Sequence, residues 1–276
     1  MPFEHPHGER RRAVLDLDVP TQARVADALV GGRDNYAVDR ELVDRLLRLA
    51  PEASTVAREH RAFVARALRT LVRQFGVDQF VDLGAGMPIP EETHRIVQRH
   101  NPEARVVYLD NDPIVVATGR ALLEENERTH VVDADLSDPE TALYTPGLAL
   151  LDRTRPIALI LADVLPHIDD DTTARETVTA WLDAVPPGSY LVLTHHHDPA
   201  DGGPASALAQ AIRAEFHGTP VATKHRTRPQ IEAFLQGLTP LPPGLVPLHT
   251  WWPDGPRETP VPPLNLLRLG AVAMKP

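Results

Sequence analysis

The sequence predicts an α/β fold: a doubly wound, mostly parallel seven-stranded sheet with helices on both faces and an N-terminal helical cap. Three observations carry it. From residue 79 onward, short apolar runs alternate with segments of helical period, as in parallel strands joined by crossover helices. The first of these runs, FVDLGAGMPIP (80–90), meets an acid and then turns through two glycines two positions apart. Residues 19–76, by contrast, contain only helical periodicity.

Residues 1–18 read as a mobile tail. A helix opens at Pro20, with Val25, Leu29 and Val30 as apolar positions, and Gly31-Gly32 stops it. After a loop at Asp34-Asn35-Tyr36, a second helix over 37–50 carries Leu42, Val43, Leu46, Leu47 and Leu49, and Pro51 ends it. A third, over 52–75, carries Val56, Phe63, Val64, Leu68, Leu71 and Val72 and closes at Gly76. These three helices form the cap, 19–76, expected on the C-terminal edge of the sheet of a second domain, 77–276. Strands are expected at 79–83, 105–109, 129–133, 157–162 and 189–194, with helices near 91–100, 113–125, 138–151 and 172–184. A helix at 204–215, a strand at 219–223, a helix from Thr227-Arg228-Pro229 to Leu238, a Pro-rich turn at 240–248 and a last strand at 264–273 follow.

The 276 residues suffice for a substantial core. No apolar run approaches the ~18 residues of a membrane span, so no membrane partner is expected. The N-terminus lacks a signal-peptide pattern, and a cytoplasmic location is expected. With no cysteine there is no disulfide, thiolate metal site or cysteine nucleophile. A formal charge of −10 argues against a nucleic-acid partner, and Arg10-Arg11-Arg12 reads as part of a solvated tail.

In an open α/β sheet, ligands bind beyond the carboxyl ends of the strands. The residues at those ends are Asp82, Gly84 and Gly86; Asp110 and Asn111; Asp133, Asp135 and Leu136; Asp163; and His195. So many carboxylates on one edge repel one another unless a ligand supplies hydroxyls, an amine and positive charge. A dinucleotide site would want G-x-G-x-x-G, but residues 84–89 read GAGMPI, and a diphosphate would be repelled by the acidic rim. S-adenosyl-L-methionine (SAM) has no phosphate and carries a sulfonium cation.

The pattern resembles the class I SAM-dependent methyltransferases. The resemblance implies that Gly84 and Gly86 lie under the methionine part, Asp110 takes the ribose hydroxyls, and Asp135 with Leu136 meets the adenine edge. TQARVADALVGGRDNYAVDRE (21–41), HRAFVARALR (60–69), QFVDLGAGMP (79–88) and VVYLDNDPIVVA (106–117) are similar to one bacterial family of these enzymes. Its members open with a GG-[KR]-DN-[YF] segment, come mostly from high-GC bacteria, and have no generally assigned substrate. Gly31–Tyr36 is then either a lid, with Tyr36 on SAM and Arg33 or Arg61 pairing with its carboxylate, or a plain turn with Asp34 or Asn35 as N-cap. Arg61 could equally pair with Asp39 or Glu59.

In such enzymes the acceptor atom sits near the end of the fourth strand, here Asp163. His167 is a candidate general base, its alternative a capping or buried histidine. Three consecutive histidines, 195–197, point to alternating faces and cannot easily converge on a metal, so none is expected. His195 is the one expected to face the pocket, and Trp251 and Trp252 read as core before pocket. Asp163 lacks the Pro-Pro-aromatic sequel of base N-methylation, and cytosine C5 methylation needs a thiol. The functional expectation is SAM-dependent methyl transfer to a small-molecule acceptor. The alternatives are SAM binding without turnover and, more weakly, an NAD(P)-dependent oxidoreductase.

Overall fold

A computed structural model describes residues 16–89, 91–255 and 261–276; Arg10, Arg11, Arg12 and most of the expected tail lie outside them. The described chain opens with α1 (Gln22–Val30), α2 (Ala37–Leu49) and α3 (Ala53–Phe75). Thr21 caps α1 by accepting the Arg24 N–H, and Gly31 ends it at φ 84°. Strands and helices then alternate: β1 (Gln79–Leu83), α4 (Thr93–Gln98), β2 (Arg105–Asp110), α5 (Pro113–Leu122) and β3 (Thr129–Asp133). After two single turns, α6 (Pro139–Ala142) and α7 (Pro146–Ala149), come β4 (Ala158–Ala162), α8 (Asp171–Asp183) and β5 (Tyr190–His196). The chain continues through α9 (Pro204–Phe216), α10 (Arg228–Glu232), β6 (Thr239–Pro240), β7 (Val246–Pro247) and β8 (Arg268–Met274).

The sheet runs β3-β2-β1-β4-β5-β8-β6, with β7 also paired to β8. The first five strands are parallel, and β8 inserts antiparallel to β5. It has eight strands rather than the expected seven. Residues 219–223 form no strand: Pro220 lacks the N–H a ladder needs, and the segment is a turn. The Pro-rich stretch instead contributes two-residue strands, in which Pro240 and Pro247 sit at the margin of the sheet. The helix expected over 138–151 breaks before Pro146, which opens α7 at the position where a missing N–H costs nothing.

Side chains alternate across each strand. Val81, Val107, Leu159, Leu191 and Ala271 face a core shared with Trp181 and Val178 of α8. Phe80, Val106, Ile160, Val192 and Val272 face Phe63, Leu68 and Leu71 of α3. Thus the C-terminal part of α3 covers a sheet face. A Cβ on Gly270 would stand 2.7 Å from the Phe63 ring, so only glycine lets α3 come that close to β8. α1 and α2 pack instead with the first turns of α3 and with α9, through Leu29, Leu42, Val56, Ala209 and Phe216. Among the described residues, no helix is long and apolar enough to cross a membrane.

Candidate active site

Parallel pairing brings the carboxyl ends of β1 to β5 to one edge: Leu83 stands beside Leu109, Asp110 beside Asp133, and Ala162 beside Thr194. The turn after β1 folds over the end of β2, because the Gly84 and Ala85 N–H groups both donate to the Leu109 carbonyl, at 2.8 and 3.1 Å. Gly84 and Gly86 have φ of 77° and 69°. Their surroundings differ. A Cβ at Gly84 would lie 2.7 Å from Val164 Cγ2, whereas one at Gly86 would meet nothing within 4 Å. Gly84 serves packing; Gly86 leaves its backbone open to a ligand.

The Gly86 N–H donates to Asp110 Oδ2 at 3.0 Å, and the Asp112 N–H to Oδ1 at 2.9 Å. Each oxygen keeps a second lone pair, which is what two adjacent ribose hydroxyls would need. Burial raises the Asp110 pKa, opposed by these N–H donors. Asn111 is exposed beside it. Asp135 is exposed and accepts from the Ser137 N–H and hydroxyl; the half-buried Leu136 is held through its carbonyl by Trp181 Nε1 at 2.8 Å.

At the other end of the turn, Asp82 accepts the Thr93 hydroxyl at 2.6 Å. Burial pushes its pKa up to about 6, against the pull of Thr93 and Arg61. Glu92, just before α4, is buried and accepts the Ile89 N–H; burial raises its pKa to about 7, with Arg61 again opposing. Among the described residues Arg61 has no hydrogen-bond or ion-pair partner. Glu59 is taken by Arg66 and Asp39 by Arg24, so neither is the partner sequence offered for Arg61. An unpaired guanidinium beside two acids suits the carboxylate of an amino acid, with the acids left for its ammonium. The turn thus offers, at its two ends, the kinds of donor and acceptor that ribose hydroxyls and an amino-acid group would each need. Sequence reasoning missed Glu92 and Thr93; the EET run before a helical period was their only signal.

The Gly31–Tyr36 segment is organised by two buried acids, Asp27, which sequence reasoning passed over, and Asp39, which it named only as a partner for Arg61. Asp27 Oδ2 accepts the Asp34 N–H at 2.9 Å and the Asn35 amide at 2.8 Å. A Cβ at Gly32 would stand 1.7 Å from its other oxygen. Asp39 accepts the Tyr36 N–H at 2.8 Å and Arg24 Nε at 2.9 Å. The N-cap of α2 is thus Tyr36, not Asp34 or Asn35. Tyr36 is 41 % exposed with its ring against the Arg24 guanidinium, and Arg33 is exposed.

At the β4 end, Asp163 has φ 57°, unusual for a residue with a side chain, and sits in a cluster built from four elements. Its Oδ2 lies 3.1 Å from Arg268 of β8, 3.6 Å from His196 Nε2 of β5 and 3.7 Å from His60 Nε2 of α3. Its Oδ1 accepts the Thr194 hydroxyl at 3.0 Å, and that hydroxyl oxygen accepts the Asp163 N–H at 2.8 Å. Burial alone would raise the Asp163 pKa, but Arg268, His60 and His196 outweigh it and hold the carboxyl well below its usual range.

Of the two histidines named from sequence, His195 turns its ring into the core, and His167 stands near enough to Asp163 and His196 to feel their charge. His195 is 0 % exposed, and its ring bonds the His196 carbonyl and Arg226 and stacks on Phe234 in the core. Strand alternation turns its neighbour His196 to the acid cluster instead. His167 sits in the turn after Asp163 with Nδ1 sealed and unbonded, its pKa lowered to about 4 by burial. Trp251 is buried edge-on to Phe63, in the core as expected, and Trp252 is 39 % exposed. Among the described residues, no three His, Asp or Glu are grouped to hold a metal ion. Sequence reasoning missed His60, although it opens the HRAFVARALR segment (60–69), because that segment was read only for family resemblance.

A family model described as S-adenosyl methyltransferase matches residues 8–276. A solved structure of a candidate methyltransferase from Thermobifida fusca superposes with a TM-score of 0.88 at 36% identity, covering 97% of this chain and 99% of that one. A DUF574 family protein from Streptomyces avermitilis gives 0.87 at 33% identity, covering 95% and 100%. A curated protein of Nitrobacter winogradskyi named shikimate kinase is 34% identical over 186 residues, 59% of this chain and 84% of that protein. That name does not transfer as chemistry. A P-loop needs G-x-x-x-x-G-K-[ST], and the only lysines here, Lys224 and Lys275, follow Thr223 and Met274.

Proposed function

This chain belongs to the S-adenosyl methyltransferase family and is a SAM-dependent methyltransferase; on that premise, we propose that it methylates a small molecule held against the Asp163 cluster. The observation that carries the reading is the pair of polar centres along one sheet edge. One, from Asp82 to Asp110 around the open Gly86, has the donors and acceptors that SAM requires. The other, around Asp163, lies across Val164 from Gly84, next to where the methionine part would rest. Asp110 takes the ribose hydroxyls, Asn111, Asp135 and Leu136 border the adenine, Arg61 takes the methionine carboxylate, and Asp82 faces its ammonium.

SAM supplies an activated methyl group; the protein's task is to align acceptor and sulfonium and exclude water. The rim's acids favour the cationic donor over its neutral product. α1 and α2, with the GG-[KR]-DN-[YF]-type segment at Gly31–Tyr36, form a cap from which the exposed Arg33, and Tyr36 on leaving the Arg24 guanidinium, would close over the cofactor. A net charge of −10 supports a small acceptor over nucleic acid. Thermal-shift titration with SAM, S-adenosylhomocysteine and NAD tests the cofactor half: stabilisation by the first two is expected, and stabilisation by NAD alone would refute it. A screen of small hydroxyl and amine compounds with tritium-labelled SAM tests the other half. Label appearing only in added protein or RNA would overturn the small-molecule assignment.

A further inference from the structure

We propose that His60, a residue of α3 outside the strand-end motifs, is the catalytic base of methyl transfer, aligned by a Thr194–Asp163 relay. The inference rests on the methyltransferase reading and adds the residue that receives the acceptor's proton. Its first support is the direction of the hydrogen bonds. Thr194 Oγ1 has one hydrogen, and the ionised Asp163 Oδ1 at 3.0 Å can only accept it. The bond between Thr194 Oγ1 and His60 Nε2, at 2.9 Å, is then donated by the imidazole. Asp163 Oδ2, 3.7 Å from the same nitrogen, favours the same arrangement. Nε2 therefore carries the proton and Nδ1 the lone pair.

The second support is access. Among the described residues, Nδ1 of His60 has no hydrogen-bond partner, and it is not among the sealed, unbonded buried atoms. The other histidines near Asp163 are engaged or closed. His196 spends Nδ1 on Thr223 at 3.1 Å and turns Nε2 to Asp163 at 3.6 Å. His195 bonds through both ring nitrogens. His167 and His225 each bury Nδ1 without a partner. Among these histidines, His60 alone joins a carboxylate-backed N–H to an Nδ1 that is neither bonded nor sealed, on a side chain 9 % exposed.

In the step, an acceptor O–H or N–H gives its proton to His60 Nδ1 while its lone pair forms the bond to the methyl carbon. The methyl–sulfur bond breaks with its electron pair left on sulfur, giving neutral S-adenosylhomocysteine. Positive charge leaves the sulfonium as it appears on the imidazolium, where Asp163 offsets it through Thr194. Burial, reinforced by Arg268 of β8, Arg61 of α3 and His196 of β5 and opposed by Asp163, lowers the His60 pKa to about 3; the resting ring is neutral and takes the proton only in concert with the methyl leaving sulfur, not before it.

Nitrogen-15 NMR of the full chain labelled at histidine, assigned with His60→Gln, tests the relay. The expected result is a neutral His60 throughout about pH 5–8 with its proton on Nε2, a preference lost in Thr194→Val. A charged ring at neutral pH, or the proton on Nδ1, overturns the proposal. Calorimetry with S-adenosylhomocysteine separates this from the methyltransferase reading: no binding to the wild type would sink that reading, while the tautomer still decides the relay. His60→Gln is expected to bind S-adenosylhomocysteine as the wild type does and to turn over the acceptor from the tritium screen about 10²–10⁴-fold more slowly. Turnover within about tenfold of wild type, or loss of S-adenosylhomocysteine binding in the variant, overturns it.

Discussion

Gly84 and Gly86 sit two residues apart in one turn with nearly the same backbone, yet alanine should harm them in different ways. At Gly84, φ 77°, the left-handed backbone costs a side-chain-bearing residue about 1–2 kcal/mol. The new Cβ also lands 2.7 Å from Val164 Cγ2, an overpacking that costs about 1–3 kcal/mol. Together Gly84→Ala should lose about 2–5 kcal/mol, a large part of the ~5–15 kcal/mol available to a folded domain. At Gly86, φ 69°, only the backbone cost of about 1–2 kcal/mol applies, because nothing lies within 4 Å of the new methyl. That methyl instead occupies the space assigned to SAM. Urea denaturation should therefore rank Gly84→Ala well below Gly86→Ala in stability, and calorimetry with SAM should show Gly86→Ala as the weaker binder per unit of folded protein. In a Val164→Ala background the Gly84→Ala penalty should shrink to the backbone part. Equal stability losses at the two glycines, or wild-type SAM affinity in Gly86→Ala, would refute the division of labour.

Asp110→Ala should weaken SAM binding by about 1.5–3 kcal/mol for each charge-assisted ribose bond lost; unchanged calorimetric affinity would remove Asp110 from the ribose. Asp82 and Glu92 have folded-state pKa values raised to about 6 and about 7 from ordinary values of 3.8 and 4.5. The folded chain then holds more protons than the unfolded one in that range, so their contribution to stability is present below about pH 4 and lost as pH rises through 6 and 7. Asp82→Asn with Glu92→Gln should flatten the fall in urea midpoint between pH 5 and pH 7, and an unchanged slope would count against their burial. Arg226, fully buried, holds the loop after β4 by donating to the Leu165 and Ile168 carbonyls, and also bonds His195 and Asp171. Arg226→Ala should cost about 1–3 kcal/mol for each buried acceptor left unpaired, read as a lower melting temperature; a surface-like change of under about 0.5 kcal/mol would be inconsistent with this role.

The alternation of apolar runs with helical period determined the parallel half of the sheet, because each of those strands is buried on both faces and is joined to the next by a crossover. Its strand ends, Asp82, Gly84, Gly86, Asp110 and Asp163, were legible for the same reason: where the run stops, the edge begins. Other elements rested on contacts distant in sequence. β6 and β7 are two residues each and exist only because β8 passes beside them. Pro220 turned an apolar-looking run into a loop. The choice between His195 and His196 hung on strand parity, which local composition does not encode. Arg61 was named from resemblance, but its freedom depends on Arg66 and Arg24 having claimed Glu59 and Asp39. The sequence by itself determined the strand ends from Asp82 to Asp110, since one β1-turn-α4-β2 unit supplies them. Only tertiary structure decided the cluster at the end of β4, where α3, β4, β5 and β8 place His60, Asp163, Thr194 with His196, and Arg268 within hydrogen-bonding and ion-pair distance.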